Sequence, residues 1–136
     1  MTAGERAAAA ARACVGARFV PQGRDPARGL DCVGLAAVAA RAAGYGGAVP
    51  GGYALRTGTW GDAPAGLDPC DGTAAGDILL CRASPIQLHL AVRTDSGIVH
   101  ADVAARRVVE RPGAPPWPVE RAWRVTGRVR GRVREE

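Results

Sequence analysis

Residues 30–44 read Leu-Asp-Cys-Val-Gly-Leu-Ala-Ala-Val-Ala-Ala-Arg-Ala-Ala-Gly. Alanine is the best helix former, and the stretch predicts a helix from about Asp31 to Ala43. Asp31 is placed to cap its N-terminus, and Gly44 to stop it. Val33, Leu35, Val38 and Ala42 give a small apolar face suited to a helix packed deep in a domain. Gly34 lets another backbone approach closely. Cys32 falls in the first turn, where free N–H groups and the helix dipole favour a thiolate. Thiols in such positions have pKa values of roughly 3.5–7.5, and the same N–H groups can hold an oxyanion. A buried core cysteine on an alanine helix is the alternative, and position alone leaves both open.

Working outward, Gly4–Gly16 reads as a second alanine-rich helix ended by Gly16. Phe19–Gly29 (FVPQGRDPARG) has two prolines and two glycines, and reads as loop. Gly44–Thr73 is rich in glycine and proline, contains Tyr45, Tyr53 and Trp60, and predicts short turns and loops. After Ala75 the pattern changes to short apolar or alternating runs: GDILLC, QLHLAVRT, GIVHADV, RRVVER and VERAWRV. Turn residues separate them, with Asp95-Ser96-Gly97 as one tight turn. Helices first and then antiparallel strands is the α+β arrangement. The length fits one domain over residues 1–136, with 126–136 as a last strand or a frayed basic end.

The net charge is +5, carried by 18 arginines and no lysine. Alanine and glycine are abundant and asparagine is missing, which matches GC-rich codon usage better than a phosphate-binding patch. The arginines are scattered except for Arg124–Arg134, so no nucleic-acid partner is expected. An acidic polymer such as a cell wall would suit the charge. No apolar run reaches the length of a membrane span. Met1–Ala13 lacks the apolar centre of a signal peptide, so synthesis in the cytoplasm without a classical leader is expected. The four cysteines, at 14, 32, 70 and 81, have irregular spacing with no C-x-x-C, which argues against a zinc ribbon or redox dithiol. Free thiols are expected. Cys14 and Cys81 read as buried, and Cys70, between Pro69 and Asp71, as an exposed loop thiol.

The two histidines, His89 and His100, sit on consecutive predicted strands. With the turn centred near Ser96, residue 89 lies across from about 103 and residue 100 from about 92. Parity then decides whether the rings can meet. A histidine on a strand is more often structural than catalytic. Two on adjacent strands, in a domain with a helix-capping cysteine, suit nucleophilic catalysis by a thiol, a base and a group that orients the base.

These residues resemble the NlpC/P60 family of cell-wall cysteine peptidases, whose compact core is papain-like. The family's Asp-Cys-Ser-Gly-Leu motif opens a helix; here it is Asp31-Cys32-Val33-Gly34-Leu35. Its Gly-Asp-hydrophobic strand matches Gly76-Asp77-Ile78-Leu79-Leu80. Its His-Val-Gly-Ile-Tyr strand matches His89-Leu90-Ala91-Val92-Arg93, and its hydrophobic-His-Ala strand matches Ile98-Val99-His100-Ala101. Each motif is weak alone; the four agree in order and spacing across Gly16–Ala101.

The resemblance implies an α+β, papain-like fold with N-terminal helices on a small antiparallel sheet. It implies hydrolysis of a peptide bond in peptidoglycan stem peptides, typically between D-glutamate and a diamino acid. Cys32 would be the nucleophile, His89 the base, and His100 the residue that orients His89. The backbone N–H of Cys32 would help form the oxyanion hole. Asp31, Phe19 and Tyr53 are the expected substrate-binding residues, with Arg56 beside Tyr53 as a further groove candidate. The family tyrosine upstream of the cysteine is Phe19 here, without a hydroxyl, and the family serine after the cysteine is Val33. The Cys-Val-Gly-Leu variant and the Gly-Arg-Asp-Pro loop resemble the phage-tail and gene-transfer-agent branch, which implies partners in such a particle.

No cofactor or resident metal is implied. The alternatives are a thiol amidase or acyltransferase on the same fold, a catalytically dead tail or wall-binding module, and a zinc site of Cys32, His89 and His100. Asp77 reads as a turn and strand cap, Asp102 as solvated or assisting His100, and Trp60, Trp117 and Trp123 as core or groove walls.

Overall fold

The computed structural model describes residues 1–47 and 66–126. Tyr53, Arg56, Trp60 and the arginine-rich stretch after residue 126 lie outside the described residues. Helix α1 is Ala3–Ala13 and helix α2 is Cys32–Ala42. Between them two-residue strands β1 (Arg24–Asp25) and β2 (Gly29–Leu30) pair antiparallel. The stretch read as pure loop thus contains a minimal hairpin, closed by the Arg28 N–H donating to the Asp25 carbonyl at 3.0 Å. Then come β3 (Leu67–Pro69), β4 (Ile78–Ser84), β5 (Gln87–Arg93), β6 (Gly97–Asp102), β7 (Arg107–Pro112) and β8 (Val119–Val125). They form one antiparallel sheet in the order β3-β8-β4-β5-β6-β7. This is the expected α+β architecture, with the expected strands near their expected bounds.

α1 begins earlier than its alanine run suggests. The Thr2 side chain accepts from the Glu5 N–H at 3.0 Å, and the Glu5 carboxylate accepts from the Thr2 N–H at 2.8 Å. This reciprocal capping box satisfies two donors that the helix itself cannot. The helix stops at Ala13, before Gly16, because the Gly16 N–H is drawn to the Val108 carbonyl of β7 at 2.9 Å. α2 has the expected cap: the Asp31 side chain accepts from the Gly34 N–H at 2.8 Å. Gly44 follows with φ of 104°, a left-handed conformation that suits glycine.

Strand alternation sorts the sheet's side chains into two clusters. Ile78, Leu80, Leu88, Leu90, Val92, Val99, Ala101 and Val108 join the helices in the main core, with Leu30 and Leu35 fully buried. Burying each such leucine stabilises the fold by about 2 kcal/mol. Leu79, Cys81, Ala91, Ile98 and Ala122 form a second cluster, against which Cys70 and Trp117 pack. Cys70 is therefore not the exposed thiol expected. Its backbone N–H donates to the Ala122 carbonyl at 3.0 Å, which draws it against the sheet. All four cysteines are free, and Cys14 and Cys81 are buried as expected.

Asp77 does more than cap a strand. It is wholly buried, and Arg124 of β8 donates to both its carboxylate oxygens, at 2.8 and 2.9 Å. The Ala74 N–H donates to the same carboxylate at 3.0 Å. Arg124, assigned by composition to the start of a basic tail, is thus part of the sheet's polar tie. Among the described residues no helix is long and apolar enough to cross a membrane.

Candidate active site

Because Asp31 caps α2, Cys32 is its first residue, at the end of the helix that faces β5. Cys32 is partly buried and lines a cavity of about 220 Å³ with His89, Leu88 and Gln87 of β5. Phe19, Pro21, Gln22, Asp31, Val33 and Val103 complete its wall. Three of the expected residues, Cys32, His89 and Phe19, therefore share one cleft with Asp31.

The α2 start is held against the Pro21–Arg24 segment by one carboxylate. Asp31 Oδ1 accepts from the Gly34 N–H and, at 2.7 Å, from Nη1 of Arg24, while Oδ2 accepts from the Gln22 N–H at 2.9 Å. Gly34 is required here, since a Cβ on it would run into the carbonyl oxygen of Gly23.

The β5–β6 turn is one residue shorter than expected. Thr94 donates its N–H to the Gly97 carbonyl at 2.8 Å, and its hydroxyl accepts from the Gly97 N–H at 3.0 Å. Asp95 and Ser96 alone make the loop, so Val92 pairs with Val99 and Arg93 with Ile98. Continued, this register sets His100 opposite Ala91 rather than Val92. The shift by one residue moves His89 and His100 from opposite faces to the same face. Their rings meet edge to face, with His89 Nε2 3.1 Å from His100 Nδ1.

Trp117, on the segment before β8, makes edge-on contact with both histidine rings, with centroids 5.1 Å away in each case. The sequence alone reads it as a core or groove wall. Nothing local marks it, because the contact joins residues from three separate segments. The Asp102 Oδ1 accepts from the N–H groups of Ala104 and Ala105, and the Asp102 charge acts on His100.

Electrostatics at the site differ from the helix-terminus expectation. Burial pushes the Cys32 thiol up to about 11, and the Asp31 charge adds to the rise. The N–H groups of Leu90, Val33 and Cys32 itself pull the other way without winning. Burial, followed by the proximity of His100, lowers His89 to about 4. Burial also lowers His100, partly offset by the charge of Asp102. At neutral pH the resting site holds a protonated thiol and uncharged imidazoles. The expected depressed thiol is overturned because desolvation outweighs a helix end in a cleft closed by β5.

Among the described residues no group of three or more His, Cys, Asp or Glu side chains is arranged to hold a metal ion. No protein-family model and no curated sequence matches the chain. Among solved structures it is similar to NlpC2 from Trichomonas vaginalis, with a TM-score of 0.69 and 18% identity. The match covers 90% of this chain and 48% of that one, so this chain spans about half the length of that protein. The fold, with two helices and a six-stranded antiparallel sheet, is an NlpC/P60-like α+β fold.

Proposed function

We propose that the protein is a thiol hydrolase that cleaves a peptide bond in peptidoglycan stem peptides, with Cys32 as nucleophile and His89 as base. The observation that carries this reading is the cleft shared by Cys32 and His89, with His89 backed by His100. His89 Nε2 is committed to His100, so its Nδ1 is the nitrogen left for the thiol. For Nδ1 to accept a proton, Nε2 must carry one and donate it to His100 Nδ1. His100 thereby selects the tautomer of the base and fixes its ring.

In the proposed reaction the Cys32 sulfur attacks the scissile carbonyl carbon as its proton passes to His89 Nδ1. The carbonyl oxygen takes up the negative charge against the N–H of Cys32. The intermediate collapses by breaking the C–N bond, and His89 gives its proton to the departing amine. Water, deprotonated by His89, then hydrolyses the thioester and restores the thiol. With the resting thiol protonated, proton transfer accompanies attack and does not precede it. Delivery of the enzyme by a phage-tail or gene-transfer-agent particle belongs to the same proposal and rests on the sequence motifs.

Digestion of purified peptidoglycan and soluble stem peptides, followed by mass spectrometry, tests the reaction. A new amine and acid pair from one bond supports it. Transfer of the acyl group to an added amine in place of water moves the assignment to an acyltransferase. No reaction by the folded protein moves it to a binding module.

A further inference from the structure

Val20–Gly23 is a tight turn, closed by the Gly23 N–H donating to the Val20 carbonyl at 2.8 Å. Pro21 takes its second position and Gln22 its third, where φ is 63°. Proline followed by a left-handed residue is the type II pattern, whose third position ordinarily takes glycine or asparagine. A glutamine held there against its backbone preference points to a use for its side chain. The turn is pinned to residues on both sides of Cys32. The Gln22 N–H donates to Asp31 Oδ2 at 2.9 Å, and the bare Cα of Gly34 lies against the Gly23 carbonyl. Gln22 lines the Cys32 cleft, and no described residue hydrogen-bonds its side-chain amide.

The cleft encloses about 220 Å³, so a carbonyl group at the Cys32 sulfur is within a side chain's reach of each wall. Few of the lining groups can donate a hydrogen bond to that oxygen. The apolar residues, Phe19 among them, have no side-chain donor, the Asp31 carboxylate only accepts, and His89 is the proposed base. Gln22 and Gln87 remain. Gln87 opens β5 just past an irregular pairing with β4, whereas the backbone of Gln22 is fixed to the start of α2. We infer that Gln22 is a catalytic residue: its side-chain amide donates a hydrogen bond to the scissile carbonyl oxygen, beside the N–H of Cys32, as that oxygen takes up negative charge. A donor set in place before the reaction costs no reorganisation when the charge forms. The inference deepens the hydrolase reading and rests on it.

Gln22→Gly tests it, because glycine suits the left-handed turn and only the side chain is lost. The variant should melt no lower than wild type, yet lose about 100-fold or more in kcat on a stem peptide. KM should change little, since the bond strengthens only as the charge develops. Gln22→Glu, which exchanges the amide donor for a carboxylate, should lose at least as much. Wild-type kcat in Gln22→Gly overturns the inference and leaves the hydrolase reading standing. A raised KM with kcat unchanged does the same, as does a kcat loss that comes with a lower melting temperature. A loss from Gln87→Ala as large as that from Gln22→Gly moves the donor to β5 and also overturns it. No cleavage by the folded wild-type protein overturns the hydrolase reading and this inference together.

Discussion

His89 Nε2 lies 3.1 Å from His100 Nδ1, joining neighbouring strands just beyond the two residue pairs that connect them next to the turn. The contact depends on a two-residue loop at Asp95-Ser96. A loop one residue longer would turn one ring to the opposite sheet face. The proposed base is therefore positioned by backbone register, and the hydroxyl of Thr94 that closes the turn is part of that positioning.

The raised Cys32 thiol predicts low reactivity at neutral pH. Iodoacetamide alkylation, mapped to Cys32 by peptide mass spectrometry, should stay slow through pH 6–8 and climb steeply only toward about pH 11. Rapid alkylation that is flat down to pH 5 would mean a standing thiolate.

Stability should carry the signature of His89. The folded protein protonates it near 4, whereas the unfolded chain does so near 6.5. Between these values the unfolded state holds more protons, so stability is lost as the pH falls from 6.5 to about 4. The contribution is about 3 kcal/mol. Denaturant titrations of wild type and His89→Ala across this range should show a shallower decline in the variant; parallel declines would assign the loss to carboxylates.

Trp117 should act as a positioning residue. Its ring contacts both histidines, and burial is the largest cause of the low His89 pKa. Trp117→Ala should let water reach the pair, lower kcat more than it raises KM, and move the acid limb of the pH profile upward. Trp117→Phe should restore most of both. A loss of activity with the acid limb unmoved would leave Trp117 a purely structural role.

Much of this was legible in local sequence. Asp31, Cys32 and Gly34 form an N-cap whose bond spans three residues, so local spacing carries it. The strands after Ala75 follow from alternation and intervening turns. The thiol environment was not legible, because it comes from β5 closing over the start of α2. The histidine register was not, because it turns on a Thr94 side-chain bond that distinguishes a two-residue from a three-residue loop. Nor was the Asp77–Arg124 pair, which joins positions 47 apart in sequence.

That pair predicts the largest effect on stability outside the core. Arg124→Ala leaves the fully buried Asp77 carboxylate with only the Ala74 N–H and the Cys70 thiol beside it, and without its cation. Because the arginine side chain is 45% exposed, the loss should be about 2–4 kcal/mol, toward the lower side of a broken buried pair. Urea unfolding checks it, and a change below about 0.5 kcal/mol would show that water compensates Asp77.

In the proposed mechanism Cys32 forms a covalent acyl intermediate with His89 as its base. Stem peptide mixed with the protein, quenched in acid and weighed intact, addresses it directly. An added acyl mass is expected on Cys32, removed by hydroxylamine and absent in Cys32→Ala, together with cleaved product that also disappears in that variant. Undiminished cleavage by Cys32→Ala would contradict it.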